Sequence, residues 1–190
     1  TLNVNGGNFY LAPDNAAAHR YMYLNTATSN DGHIILQRAL SNKHQLTTKP
    51  DNSFNIYGYD ASADVFNIDS SGRMTTPKQP SFWAYMSQSN PTITGLNVKI
   101  PYSATRWNVG SHFDTTNSRF VAPIAGKYCF QVNHNVYGLS DDQYFRTRVY
   151  VNGSSWQILG YMRARGSGDH TTNDSFLLDM SANDYVEIYT

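Results

Sequence analysis

Apolar and polar residues alternate with a period of two along much of the C-terminal half, which predicts β-strands that each bury one face. The clearest case runs from Lys127 to Asn133, where Tyr128, Phe130 and Val132 share one side. Further strands are predicted at Phe82 to Met86, Leu96 to Ile100, Phe145 to Val151, Gln157 to Met162, Ser175 to Met180 and Tyr185 to Tyr189. Asn152-Gly153 predicts a tight hairpin turn. This pattern indicates an all-β fold with a β-sandwich in the C-terminal half.

The N-terminal part is predicted to be a series of β-hairpins. Turn signals recur there about every eight to twelve residues, as in all-β proteins. They include Asn5-Gly6-Gly7, Asp31-Gly32 and Ser70-Ser71-Gly72. The strands predicted between such turns are Asn8 to Leu11, His33 to Gln37, Ser53 to Tyr59, Asp64 to Asp69 and Arg73 to Thr76.

Two prolines in four residues, Pro77-Lys-Gln-Pro80, mark the predicted domain boundary. Each proline lacks a backbone N–H and favours an extended conformation before it, so a sheet is not expected to continue through this segment. We therefore expect an N-terminal β module over residues 1–76, a linker over 77–80 and a β-sandwich head over 81–190.

Composition adds an expectation of subunit contacts. Charged residues are 15% of the chain, against roughly a quarter in average domains, while aromatic residues are 14%. Such a protein either covers its surface with Asn, Ser and Thr or buries much of it between subunits, and the abundance of Tyr favours the second. The net charge of zero and the lack of a basic run argue against binding to nucleic acid, and no apolar run predicts membrane insertion. The single cysteine, Cys129, is expected to be a small buried side chain.

No catalytic constellation is found, so the sequence predicts a non-enzymatic protein without a catalytic residue or an organic cofactor. Glu187 is the only glutamate, which excludes a pair of glutamates of the glycosidase kind, although paired aspartates stay open. Calcium is the one metal considered, because carboxylates in loops are its usual ligands. The candidates are Asp141, Asp142, Asp169 and Asp174. The alternative is that these are solvated carboxylates in turns.

Candidate ligand contacts come from arginine and aromatic side chains of the C-terminal half. Arg146 with Arg148, and Arg163 with Arg165, are spaced to point to one side of a strand. They either bind an anionic ligand or pair with Asp141, Asp142 and Asp169. Exposed aromatic rings can stack on sugar rings, although aromatic residues more often belong to cores or interfaces. The candidate contacts are Tyr137, Trp156, Tyr161, Arg163 and Arg165.

One spacing of aromatic, Asn and Gly residues in the C-terminal part carries a resemblance. The residues are Tyr102, Asn108, Phe113, Phe120, Gly126, Tyr128 and Phe130. This run resembles the signature of the complement one-q (C-one-q) globular head, a jelly-roll family related to ligands of the tumour necrosis factor type. Flanking pieces, Pro80-Ser-Phe82 and Val149-Tyr-Val-Asn-Gly153, are also similar to the family.

The resemblance implies a jelly roll that assembles as a homotrimer, with aromatic and apolar residues around a threefold axis, and some members bind calcium near the apex. It gives the signature residues a structural role. Tyr102 and Val132 depart from the residues that are usual at their positions. The family's closing strand has no counterpart before Thr190, which puts the integrity of one sheet in doubt.

The segment from Ala63 to Pro77, ADVFNIDSSGRMTTP, resembles hairpin modules of phage tail fibres. Together the two resemblances imply a virion protein on the tail or capsid surface, facing the exterior. The leading expectation is a trimeric tail-fibre or spike segment whose head binds a host cell-surface glycan or protein. The alternatives are a trimeric capsid decoration protein, which would contact other virion proteins, and a secreted lectin-like module.

Overall fold

A computed structural model describes residues 31–39, 41–88, 92–166 and 168–190, and these residues form antiparallel β-sheets without any helix. The predicted all-β fold class is thereby confirmed. The turn and strand predicted between residues 5 and 11 lie outside the described residues. The chain divides into two compact units, Thr1–Pro77 and Lys78–Thr190.

The described part of the N-terminal unit is a five-stranded meander in which each strand pairs with the next along the chain. The strands are β1 (Gly32–Arg38), β2 (Ser41–Thr48), β3 (Phe54–Gly58), β4 (Ala63–Ile68) and β5 (Met74–Thr75). The turn before β5 is fixed by Asp69, whose carboxylate accepts hydrogen bonds from the backbone N–H groups of Ser71 and Arg73, both at 2.9 Å. Gly72 in this turn has a φ of 81°.

The buried side chains among residues 31–39 and 41–77 are polar. Asn55, which has no solvent exposure, donates a hydrogen bond to Asp64 at 2.7 Å and accepts one from Ser53 at 3.0 Å. Lys49 forms an ion pair with Asp64 at 2.9 Å. A buried polar network of this kind fixes the register of strands, but it contributes little of the apolar burial that stabilises an isolated sheet.

Residues 78–88, 92–166 and 168–190 of the C-terminal unit form nine strands. They are β6 (Ser81–Tyr85), β7 (Ala104–Val109), β8 (Phe113–Asp114), β9 (Arg119–Val121), β10 (Gly126–Leu139), β11 (Tyr144–Val151), β12 (Ser154–Arg163), β13 (Gly168–Met180) and β14 (Tyr185–Tyr189). One sheet has the order β12-β11-β14-β9-β8, and the pairs β10-β13 and β6-β7 form two separate two-stranded sheets. The turn between β11 and β12 is Asn152-Gly153, with φ values of 52° and 75°.

An aromatic and aliphatic core lies between these sheets. Phe82 stacks on Phe113 at 4.9 Å and on Phe120 at 5.2 Å between ring centroids, and Phe130 stacks on Phe176 at 5.0 Å. Phe82 is partly buried, whereas Phe113, Phe120, Phe130 and Phe176 are buried. The other buried members are Ile100, Ala122, Val132, Val149, Leu178, Met180, Val186 and Ile188. Each of the large apolar side chains contributes roughly 1.5–3 kcal/mol of transfer free energy on burial.

Several of the signature residues act within this core. The side chain of Asn108 forms two hydrogen bonds with the backbone of Phe113. It donates to the carbonyl at 2.8 Å and accepts from the N–H at 3.0 Å. Tyr128 packs on Phe120 at 5.3 Å and donates its hydroxyl hydrogen to the carbonyl of Ile124 at 2.8 Å.

Some local predictions are wrong. Leu96 to Ile100 is not a strand, because only Lys99 forms a single bridge, to Tyr189. Strand β10 extends past its predicted end at Asn133 to Leu139, and β13 pairs with it from Gly168 onward. Cys129 is exposed rather than buried, because it lies on the face of β10 that points away from the core. The described part of the chain has no helix that is long and apolar enough to cross a membrane.

Candidate functional site

A square of tyrosine and arginine residues lies on one face of β11 and β12. Tyr144 pairs directly with Arg163, and Arg146 pairs directly with Tyr161, in the antiparallel register of the two strands. Directly opposed side chains on one face lie close enough to interact. The two tyrosines therefore occupy one diagonal of the square and the two arginines occupy the other. We call these four residues the Tyr–Arg platform.

The platform is preorganised by contacts among its own members. The rings of Tyr144 and Tyr161 stack with centroids 5.2 Å apart and planes inclined by 23°. The guanidinium carbon of Arg146 lies 5.5 Å from the centroid of Tyr144, in cation–π range. Tyr161 is nevertheless 61% exposed and Tyr144 is 38% exposed. Two rigid rings are thus held in place while much of their surface faces solvent.

Asp142, in the loop before β11, restrains the arginine side chains at one end of the platform. Its carboxylate accepts from Arg163 at 3.1 Å and lies 3.5 Å from Arg165. Arg165 and Asp142 are both exposed, so the ion pairs contribute little stability and mainly restrict where the guanidinium groups lie. For Arg163 and Arg165, the structure thus supports the predicted pairing with an aspartate.

Arg146 and Arg148 have no carboxylate partner among the described residues. The Nε atom of each is buried without a hydrogen-bond acceptor, although a terminal nitrogen of Arg148 donates to Asn97. A planar guanidinium matches a carboxylate or phosphate better than it matches a neutral group. The platform therefore combines aromatic stacking surface with a cation, Arg146, that has no carboxylate partner among the described residues.

The other predicted contacts do not join the platform. Tyr137 lies on β10, is 50% exposed and receives a hydrogen bond from Asn135 at 2.9 Å. Trp156 lies at an irregularity of β12, and its ring is 6.3 Å from Phe176 of the core. Of the three predicted aromatic contacts, only Tyr161 belongs to a cluster with arginines.

The predicted metal candidates are dispersed. Asp141 accepts from the N–H of Gly166 at 2.8 Å, and Asp142 pairs with arginines. Asp169 and Asp174 lie in β13 rather than in a loop, because β13 begins at Gly168 and not at the predicted Ser175. Among the described residues no group of three or more His, Cys, Asp or Glu side chains is placed to hold a metal ion.

One end of the sandwich interior is polar. His134 is 5% exposed, its Nε2 atom lies 2.7 Å from the hydroxyl of Tyr102, and its Nδ1 atom is 3.5 Å from the hydroxyl of Thr147. Burial lowers the pKa of His134 to about 4. The charge of Asp174 raises this pKa, but by less than burial lowers it. Burial also raises the pKa of Tyr102 above its ordinary value. This cluster is neutral near pH 7 and faces the interior, so its role is structural.

A second exposed aromatic cluster, on β6 and β7, has no counterpart in the candidates from the sequence. Trp83 and Trp107 are directly opposed, with centroids 5.3 Å apart and planes at 89°. Arg106 lies 5.3 Å from the ring of Trp83 and 5.5 Å from that of Tyr85. In the predicted strand, Trp83 and Tyr85 alternate with Phe82 and Ala84. This alternation indicates that the two aromatic residues point outward, and it could have identified the cluster from the sequence.

Comparison with known proteins adds a likeness but no activity. No protein-family model matches the chain. A curated protein of Bacillus subtilis (strain 168), called "Uncharacterized protein YqcC", is 30% identical over 104 residues, which is 49% of this chain and 27% of that protein. The chain thus spans about a quarter of the length of this relative, and the printed name states no function.

Proposed function

We propose that the chain is a non-enzymatic adhesion protein of a virion. In this proposal it is a segment of a trimeric tail fibre or spike, and its C-terminal unit binds a glycan on the host cell surface. The Tyr–Arg platform is the observation that carries the proposal. Stacked, exposed tyrosines offer apolar faces to sugar rings, and Arg146 offers donors to a carboxylate on the sugar.

Trimer formation would supply affinity that one platform lacks. A single exposed stacking site is weak, whereas three identical sites on one axis contact a repetitive surface together and gain affinity through effective concentration. The N-terminal meander supports assembly, because its buried side chains are polar while Ile34, Ile35 and Leu36 are 38% to 50% exposed. Such a sheet gains stability when copies bury these apolar side chains against each other.

The experiment measures binding of the recombinant chain to an array of neutral and carboxylate-bearing glycans, and then to host cells. Tyr161→Ala removes one ring of the stack. We expect it to weaken binding about tenfold per site, which corresponds to about 1.4 kcal/mol. Arg146→Gln should weaken binding to the acidic glycans more than to the neutral ones.

Tyr137→Ala is the matched control, because Tyr137 is an exposed tyrosine of the same unit that lies on another sheet. It should leave binding unchanged. Equal losses in the Tyr161 and Tyr137 variants, or no binding to any glycan or cell, would refute the adhesion proposal. A stable monomer in a solution mass measurement would refute the trimeric part separately.

A capsid decoration protein is the second candidate. In that role Ile34, Ile35 and Leu36, which are 38% to 50% exposed, contact the capsid rather than other copies of the chain. In that role the trimer would clamp neighbouring capsid subunits. The test is binding to empty capsids, compared with a variant carrying Ser at positions 34 to 36. Capsid binding that is lost in this variant, together with no affinity for cells or glycans, would replace the adhesion proposal with this one.

A further inference from the structure

Two arginine side chains of β11 stand between tyrosine side chains on the outward face of the sheet. Arg146 and Arg148 are two residues apart in β11, so their side chains point to the same face. Tyr144 precedes them and Tyr150 follows them at the same two-residue spacing. The alternate residue Val149 belongs to the core, so these four side chains face away from it. We call the four residues the β11 row; the Tyr–Arg platform contains only its first two members.

The far end of the β11 row has a tyrosine stack of its own. The ring of Tyr150 stacks on the ring of Tyr189 in β14, with centroids 4.0 Å apart and planes inclined by 27°. Tyr189 is directly opposite Arg148 in the register of β11 and β14. At the near end, Tyr144 stacks on Tyr161 of β12. Each end of the row thus carries aromatic rings that a neighbouring strand holds in place.

The length of the row suits a chain of sugar units rather than a single sugar. Consecutive residues of a strand rise by about 3.3 Å, so Tyr144 and Tyr150 are about 20 Å apart, and Arg146 and Arg148 about 7 Å apart. A monosaccharide is about the size of one aromatic side chain, so it can cover one stack without reaching the other. An oligosaccharide laid along β11 can cover both stacks and pass both guanidinium groups.

Two carboxylates border the β11 row, and both have cationic partners outside it. Asp142 pairs with Arg163 at 3.1 Å beside the near end. Glu187, which is directly opposite Tyr150 at the far end, is 6% exposed and pairs with Lys99. These two carboxylates therefore do not neutralise the arginines in the middle of the row.

The two guanidinium groups in the middle of the row attract anions. Arg146 lies against the ring of Tyr144, and Arg148 donates a hydrogen bond to the side chain of Asn97, so both contacts are with neutral groups. Like charges about 7 Å apart repel each other, and an anion bound beside them offsets that repulsion. A guanidinium binds a carboxylate or phosphate through paired hydrogen bonds. A ligand with acidic groups on successive units matches this arrangement.

We propose that the β11 row is one extended site that binds an acidic glycan chain lengthwise. Sugar rings stack on the tyrosines at the two ends, and acidic groups on the units between them bind Arg146 and Arg148. The inference rests on the proposed glycan binding and names the ligand class of that site, a chain of several sugar units with repeated acidic groups. Because each single contact is weak, a chain that makes several contacts at once gains affinity from its length.

The first test measures the affinity of the recombinant chain for acidic oligosaccharides of increasing length by titration calorimetry. The probes are linear oligomers of galacturonate and of sialic acid, from the monomer to the hexamer. Their methyl esters are neutral ligands with the same skeleton. For at least one series we expect the hexamer to bind about tenfold or more tighter than the monomer, and its methyl ester to lose about tenfold. Raising the salt from about 0.1 M to about 1 M shortens the Debye length from about 10 Å to about 3 Å, so it should weaken binding of the acidic hexamer but not of its ester.

Arg148→Gln is the decisive variant, because Arg148 belongs to the β11 row but not to the Tyr–Arg platform. It should weaken binding of the hexamer about tenfold and leave binding of the monomer unchanged. Arg148→Lys keeps the charge and should restore part of the loss. Arg106→Gln is the matched control, because Arg106 is an exposed arginine of β7 in another sheet and its loss changes the net charge equally. It should leave both affinities unchanged.

The outcomes separate this inference from the adhesion proposal on which it rests. Length-dependent binding of an acidic oligomer that Arg148→Gln reduces and Arg106→Gln does not supports the extended site. Equal affinity for monomer and hexamer, binding of neutral glycans alone, or equal losses in the two arginine variants overturns this inference and leaves the adhesion proposal standing. The absence of binding to any glycan or host cell refutes both. Tighter binding of single-stranded oligodeoxythymidylate than of any acidic oligosaccharide would assign the row to a nucleic acid and overturn the glycan assignment.

Discussion

The buried histidine of the C-terminal unit predicts a loss of stability in mild acid. His134 faces Tyr102, Thr147, Asp174 and Phe145, and it is almost completely removed from solvent. Burial makes the charged form unfavourable, so its pKa falls from 6.5 to about 4. The charge of Asp174 opposes this shift without reversing it.

The sign follows from comparing the two states. Below pH 6.5 the unfolded chain binds a proton at this position, whereas the folded chain stays neutral until the pH approaches 4. Stability is therefore present at neutral pH and is lost as the pH falls through this window. With these two pKa values, the free energy of unfolding should fall by about 2 kcal/mol between pH 7 and pH 5. Asp114 and Asp184, whose pKa values are lowered by hydrogen bonds from Asn117 and Asn152, lose their contribution only at lower pH.

The assay is urea unfolding at several pH values, followed by tryptophan fluorescence. All three tryptophans, Trp83, Trp107 and Trp156, lie in the C-terminal unit, so the signal reports on this unit alone. His134→Gln should lower stability at pH 7 but remove the fall between pH 7 and pH 5. Tyr102→Phe removes the hydroxyl partner and leaves the histidine buried, so the fall should persist. An equal fall in His134→Gln would refute the assignment of the effect to His134.

Three further changes test the core and its turns by the same unfolding assay. Phe130→Ala should lower the free energy of unfolding by about 3–5 kcal/mol, because it empties a buried aromatic site; a loss below 1 kcal/mol would contradict its place in the core. Asn108→Ala should lower the free energy of unfolding by about 1–3 kcal/mol, because both backbone groups of Phe113 lose their partner. Asn108→Asp should lower it less, because its side chain still accepts from the N–H of Phe113. Gly153→Ala should cost about 1–2 kcal/mol, because its φ of 75° is unfavourable for a residue with Cβ; an unchanged midpoint would argue against this turn.

The sequence predicted those strands whose own residues carry the alternation. Strands β3, β10, β11 and β14 are examples, since each places mainly apolar side chains on one face. Strand β2, SNKHQLTT, was not predicted because its only aliphatic residue is Leu46. It forms because β1 and β3 pair with its two edges. Pairing between distant segments supplies this information, and a local pattern does not contain it.

The candidate site was predicted only in part for a similar reason. Tyr161 was predicted as a stacking surface for sugar rings, and Arg163 as one of a pair of arginines on one side of a strand. That Arg146 and Tyr144 stand opposite them follows from the register between β11 and β12, which includes two irregularities. A one-residue change of register would place these side chains on opposite faces. The Trp83–Trp107 pair depends in the same way on the register of β6 and β7.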